Sequence, residues 1–251
     1  MGSGALEPYS PLGVPKPVDR DIWTVDGPVV RMRYLLGSLP FTTRMTAVRL
    51  PDGRLWLHSP IPPMPGLLDA IAARGPVAAL VAPNRLHWMG LAAWQEAFPE
   101  AVTWVAPGVA EKAEEGGFRV DHVLTERPPA EWDGALAQLL VPGGFLTEAV
   151  FLHRSSRTLI LTDLIENFEP ERVRGRLLRV LMRLGGVFDP NGSTPRDLRL
   201  TYFGRRGALR GAVETMLGWA PERVIFAHGR CYFEDGTAEL RRALAWTGAV
   251  A

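Results

Sequence analysis

The sequence predicts an α/β fold in which two β-sheets are sandwiched between helical layers, a four-layer αββα arrangement. Three observations predict it. The hydrophobic period runs from strand-like to helix-like and then repeats that order in the second half, as two packed sheets with outer helices require. Two apolar runs of strand character, Arg157-Thr-Leu-Ile-Leu-Thr-Asp163 and Val224-Ile-Phe-Ala-His228-Gly229, each end on an ionisable side chain, and strand C-termini are where α/β folds gather ligands and catalytic groups. The chain is also 251 residues long and 47% hydrophobic, enough for a substantial core.

Taken in order, Pro8, Pro11, Pro15 and Pro17 leave residues 1–20 neither helix nor central strand, so an extended N-terminal arm is expected, ordered by docking. Strands follow at Ile22–Val25 and Val29–Leu35 around a turn at Asp26-Gly-Pro28, then at Thr43–Leu50 and Arg54–His58, joined by the hairpin signal Pro51-Asp-Gly53. After Pro65 the period becomes helical to Gly75. A buried strand Val77–Ala82, a helix Trp88–Phe98, a strand Val102–Val105 and a short helix Gly108–Glu115 complete the first half. The second half predicts strands at Leu136–Val141, Ala149–His153 and Thr158–Thr162, helical zones at Pro170–Leu184 and Arg205–Leu217, a strand Val224–Ala227 and a last helix near Ala238–Trp246. Residues 21–251 are expected to form one domain with a helical insertion at about 168–218.

Composition excludes several classes. Lys+Arg 28 against Asp+Glu 27 gives a net charge of +1, so no global field draws the protein to nucleic acid, and no basic run is interleaved with aromatics in the manner of nucleic-acid modules. The single cysteine, Cys231, excludes an internal disulfide framework and a cysteine-based zinc site, which fits a reducing compartment. With no apolar run of membrane-spanning length and no secretory leader pattern, a soluble cytoplasmic protein is expected.

The order of elements, with Leu57-His58 ending a meander strand, Asn84-Arg-Leu-His87 ending the next, then Thr162-Asp163 and Ala227-His228-Gly229, resembles the metallo-β-lactamase fold. More narrowly, the runs Pro40-Phe-Thr-Thr-Arg-Met-Thr-Ala-Val-Arg-Leu50, Leu55-Trp-Leu-His-Ser-Pro60 and Ala82-Pro-Asn84 are similar to a bacterial family of unknown function within that superfamily. The resemblance covers nearly the whole chain after residue 8. It implies a metal held by a His-x-His-x-Asp-His run, a Pro-Gly-His turn, a bridging Asp and a final His. Asp163 and His228 stand where the last two belong. The first run falls across Pro83–Trp88, with His87 in the Asp position and Trp88 in place of the last His, and Pro142-Gly143-Gly144 lacks the histidine of the turn.

Three donors would still meet a catalytic zinc site's protein ligand count. Two states therefore stand open: one zinc, iron or manganese ion on His87, Asp163 and His228, with Asp163 and His228 as the catalytic pair, or a metal-free pocket. His58, at the place of a supporting Asp in the superfamily, joins Asn84, Trp88 and Glu148 as residues expected to support or line the pocket. The implied chemistry is hydrolysis of a small ester, lactone or phosphoester; the alternative is a catalytically silent member that binds a small ligand or a protein partner.

Other features carry less. Cys231 lies three residues after His228, which permits a Cys–His nucleophile or a buried structural thiol. Ser59 lacks a nucleophile-elbow context. His122 and His153 are expected to be surface or structural. Across residues 172–184, five arginines alternate with apolar residues at helical spacing; such a face suits an anionic membrane surface or a phosphate-bearing ligand, but the expected reading is a solvated helix face docked over the pocket. Arg196 and Arg205-Arg206 would favour an acidic substrate if they turn toward Asp163. Trp56, Trp88, Trp94, Phe168 and Trp219 are expected near the pocket mouth.

Overall fold

The structure, a computed structural model, describes residues 4–34 and 37–249. The first sheet runs in sequence order: β1 (Pro15–Asp19), β2 (Ile22–Tyr34), β3 (Gly37–Arg49), β4 (Leu55–His58), β5 (Val77–Ala82), β6 (Val102–Val105) and β7 (His122–Val123). Its first four strands are an antiparallel meander. From β4 onward the pairing is parallel, because α1 (Leu67–Ala72), α2 (Leu91–Ala97) and α3 (Ala113–Gly116) carry the chain back between strands. The second sheet holds β8 (Leu136–Pro142), β9 (Thr147–His153) and β10 (Thr158–Ile160); after β11 (Glu166–Asn167) leaves it, β12 (Arg223–Ile225) returns to pair with β10. β13 (His228–Gly229) then pairs with β11, setting Glu166 opposite His228.

Side-chain alternation makes the layers. Ile160 and Phe151 face inward to share a core with Met45, Leu57 and Leu80 of the first sheet. Their neighbours Leu159, Leu161, Val150 and Leu152 face outward, as the period of two requires. That outer face is covered by α6 (Arg206–Gly218) and α7 (Gly236–Ala243) through Leu209, Val213, Met216 and Leu240. On the other side Leu67, Ile71, Leu91 and Trp94 bring α1 and α2 onto the first sheet. Among the described residues, no helix is long and apolar enough to cross a membrane.

Three elements differ from the sequence expectation. The last part of the expected arm, Pro15–Asp19, is β1, paired antiparallel with β2 at the edge of the first sheet, where Pro15 and Pro17 are tolerated. The turn expected at Asp26-Gly-Pro28 is a bulge inside one 13-residue strand, β2. Gly27 pairs with Thr43 and Val30 with Phe41, so Pro28 and Val29 oppose Thr42 alone. Pro28 has no N–H to give the ladder, and its carbonyl accepts from Thr43 Oγ1 at 2.8 Å. The helix expected over Pro170–Leu184 is a 3₁₀ turn, Pro170–Arg172, then an extended link, then α4 (Arg176–Gly185). The link is held open by the arm: Val173 bridges Leu6, and the Arg174 and Gly175 N–H groups donate to the Ala5 carbonyl. On α4 only Leu178 and Met182 pack inward, while Leu177, Val180 and Leu184 are 58, 54 and 62% exposed. Its apolar positions span a wider arc than one buried face holds. α5 (Arg196–Thr201) follows.

Candidate metal centre

Three strand ends converge on Asp163. The β10 run carries it past the end of the second sheet, where Glu148 of β9 holds the turn by accepting from the N–H groups of Thr162, Asp163 and Leu164 at 2.7, 3.0 and 3.0 Å. A buried acceptor set in this way fixes three consecutive residues. Asn84, fully buried after β5, donates to Asp163 Oδ2 at 2.6 Å and to Thr162 Oγ1 at 2.9 Å, while its own Oδ1 accepts from Leu86 N–H at 2.8 Å.

Two histidines complete the cluster. His228 Nε2 lies 3.1 Å from Asp163 Oδ1 and His87 Nε2 lies 3.2 Å from Oδ2. One donor atom from each of the three residues lies within 4.8 Å of the others. Behind them, His228 Nδ1 donates to the Thr42 carbonyl at 2.7 Å, and His87 Nδ1 meets Ser59 Oγ at 2.8 Å. Thr42 is the residue opposite the β2 bulge, where the ladder is interrupted. Ser59 has a left-handed backbone, φ 53°, with its N–H held by Val81 O at 2.9 Å, a strained position of the kind functional sites retain.

The loop that carries His228 is anchored from beneath. Arg44, buried in β3, donates through Nη1 to the carbonyls of Phe226 and Gly229 at 2.7 and 2.9 Å and lies 3.0 Å from Cys231 Sγ. Its charge is met by Asp26 at 2.8 Å, itself shared with Lys16. Gly229 permits the approach of β13 to β11, since a Cβ there would stand 2.2 Å from the Asn167 carbonyl and its φ is +99°. Cys231 is buried, and burial pushes its thiol up despite Arg44. It is a core thiol, not a nucleophile.

Charge is unevenly distributed around the cluster. Burial alone would push the Asp163 carboxyl up, but His87 and His228 more than offset it and hold it well below the usual carboxylate range. Glu148 is pushed up to about 7 by burial and by Asp163. Glu166 is pushed up to about 8 by burial, against His228 and with help from Asp163 and Asp197. Asp163 is thus the carboxylate that stays charged.

The remaining expected residues are placed as follows. His58 is buried between Trp56, stacked at 5.5 Å, and Phe151, edge-on at 5.6 Å, outside the three-residue cluster. Trp88 packs its ring against Phe118 and donates to the Arg85 carbonyl at 3.0 Å. Gly144 is closed to any side chain, because a Cβ would meet the Thr201 carbonyl at 2.4 Å. His122 is exposed and stacks on Trp104, and His153 is buried on Ser156. The aromatics expected at the mouth are elsewhere: Trp56 and Trp94 are in the core between layers, Phe168 packs on Leu6 and Trp219 lies against the outer core. Thr42, Arg44, Thr162 and Glu166 escaped the sequence reading. Arg44 alone left a signal there, a charged side chain early in the expected strand Thr43–Leu50.

Layers and strand order define the chain as a metallo-β-lactamase fold. Solved structures agree: DIM-1 metallo-β-lactamase exposed to ceftazidime aligns with a TM-score of 0.61 at 14% identity over 96% of this chain and 97% of that one. FIM-1 from Pseudomonas aeruginosa in its mono-zinc form gives 0.63 at 13% over 98% and 96%, and the enzyme from Hirschia baltica 0.60 at 15% over 98% and 99%. Comparison with curated proteins gives no match. Within the fold, the chain belongs to the family described as domain of unknown function (DUF4336), whose model matches residues 21–174.

Proposed function

We propose that this protein is a metal-dependent hydrolase of a small ester, lactone or phosphoester, working with one zinc, iron or manganese ion on His87, Asp163 and His228. One observation carries the reading. The Thr42 carbonyl takes the Nδ1 proton of His228, so the neutral ring presents an Nε2 lone pair to a carboxylate oxygen 3.1 Å away. Two acceptors face each other there, and a cation between them, or a proton held by the ring or by the carboxyl, reconciles them. Two imidazole nitrogens and a carboxylate, each hydrogen-bonded from behind by Thr42, Ser59 or Asn84, are the donor chemistry a divalent ion takes. The mono-zinc form of FIM-1 supports a single-ion reading.

When bound, such an ion supplies Lewis-acid activation of water for attack on an ester or phosphoester. Asn84 holds the Asp163 carboxylate in one orientation, Glu148 fixes the backbone that presents it, and Arg44 holds the His228 loop. Elemental analysis should find about one equivalent of metal per chain after reconstitution. His228→Ala should lose that ion and any activity on ester and phosphoester panels while remaining folded. Sub-stoichiometric metal in the reconstituted parent protein would overturn the reading.

Closure of Gly144 by Thr201 and the place of Trp88 favour a second reading, a silent member that binds a ligand without turnover. In that case the cluster is a protonated His–Asp–His set, and substrate panels show no turnover with or without added metal. A cytoplasmic setting is inferred from the single, reduced and buried Cys231.

A further inference from the structure

Asp163 is also part of the wall of a much larger space. A cavity of about 570 Å³ opens beside it, walled by Phe41, Phe145, Leu181, Met182, Leu184 and Val187. Its volume is that of a ligand site, while its walls offer few polar partners to a small polar substrate. The charged groups in the lining are Asp163 and Glu166, both buried, and Arg33, Arg196 and Asp197, all exposed, so the cations available to a ligand at the opening are Arg33 and Arg196. Leu181 and Leu184 line the cavity and are themselves 37 and 62% exposed, so the opening lies on the uncovered side of α4. The segment 170–210, which supplies α4 and α5 to its wall, carries ten arginines against Glu171, Asp189 and Asp197, in a chain whose net charge is +1; of the ten, Arg196 lines the cavity itself.

We propose that this cavity binds the alkyl or acyl chain of an amphiphile with an anionic head, a phosphate or a carboxylate, the chain lying along α4 and the head at Arg33 and Arg196. The apolar wall excludes water from the chain, and the rim arginines select for negative charge. An exposed apolar rim within a cationic segment is what a protein needs to take such a molecule from a monomeric pool or from an anionic bilayer. Only the claim that this amphiphile is a substrate rests on the hydrolase reading; its binding does not.

The test is calorimetric titration of the chelator-treated full chain with butyl, octyl and dodecyl phosphate below their micelle concentrations. Affinity should rise about tenfold for every two methylenes added. Met182→Trp, which fills the wall, should abolish most of the gain from chain length while leaving metal content unchanged; Leu181→Trp at the rim serves if that variant does not fold. Arg33→Gln should weaken all three ligands alike. Equal affinity for butyl and dodecyl phosphate, or undiminished dodecyl phosphate binding in the folded filled variant, would overturn the proposal. Vesicles of phosphatidylcholine with and without phosphatidylglycerol separate the sources. Salt-sensitive pelleting with the anionic vesicles alone supports a bilayer source, and monomer binding without pelleting supports a soluble amphiphile. Chain binding by a protein that takes up no metal would overturn the hydrolase reading and leave this site standing.

Discussion

At the scale of single residues, the site depends on which ring nitrogen carries a proton. Thr42 contributes no side chain to it, yet its carbonyl decides that His228 offers Nε2 to Asp163. His87 is freer, since the Ser59 hydroxyl can donate or accept. His58 has no such partner: its Nε2 is buried without a hydrogen bond among the described residues, and burial first, then His87, pushes its pKa down from 6.5 to about 3. The unfolded chain therefore binds this proton near pH 6.5, and the folded one only near pH 3. Stability contributed by the neutral ring is intact above the upper value and is lost as pH falls toward the lower one. His58→Phe, which keeps an aromatic between Trp56 and Phe151, should flatten the acid limb of stability by up to about 1.4 kcal/mol per pH unit. Urea unfolding across that window checks it; parallel slopes for the variant and the parent would show that His58 does not titrate this way. Asp163, His87 and His228 were legible in the sequence because each closes an apolar strand or its following turn. Thr42 was not, because a backbone carbonyl leaves no mark on residue type.

At the scale of elements, β3 links the bulge to the loop of β13. Pro28 interrupts the ladder opposite Thr42, and two residues on, Arg44 reaches the Phe226 carbonyl, 182 residues away in sequence. No local period or motif reports an approach of that range. The same holds for β11 and β13, two-residue strands too short to show alternation. Arg44 acts through the loop rather than on a ligand, so it is a positioning residue. Arg44→Met would leave the Phe226 and Gly229 carbonyls without their donor and Asp26 with Lys16 alone. The expected cost is roughly 3 kcal/mol, the low end for breaking a buried pair, because Lys16 still neutralises Asp26. Metal affinity should fall as well, since His228 rides on this loop. Denaturant unfolding measures the first effect and zinc titration the second. A variant that is destabilised but binds zinc as tightly as the parent would show Arg44 to be structural only.

At the scale of the whole molecule, the layered fold was legible because alternation sends neighbouring residues such as Leu159 and Ile160 into different cores, and that pattern is written in residue type. The relation of the N-terminal arm to the rest was not, because prolines exclude regular structure without naming a docking site. The arm lies against the segment that walls the cavity. Leu6, 2% exposed, packs with Phe168, Val173, Leu178 and Met182. Glu7 pairs with Arg174 at 2.6 Å, and Arg172 lies over the Tyr9 ring at 4.3 Å. Residues 4–14 thus hold the link and α4 in place. Deleting residues 1–14 spares β1 and the Lys16–Asp26 pair but removes a buried leucine and an aromatic anchor, which should cost on the order of 3 kcal/mol. The loss should be largest at the extended link and α4, which hold the Leu6, Glu7 and Tyr9–Arg172 contacts; on the first sheet the arm contributes the Gly13 N–H to the Asp26 carbonyl at 2.9 Å and the Tyr9 ring at 5.3 Å from Arg44. Limited proteolysis should therefore cut the truncated protein first between residues 173 and 190, while near-ultraviolet circular dichroism of the buried tryptophans in the sandwich persists. Dodecyl phosphate binding should weaken in step, as Met182 and Val187 both wall the cavity and share the cluster with Leu6. An unchanged cleavage pattern in the truncated protein would mean that the link and α4 hold their shape without the arm.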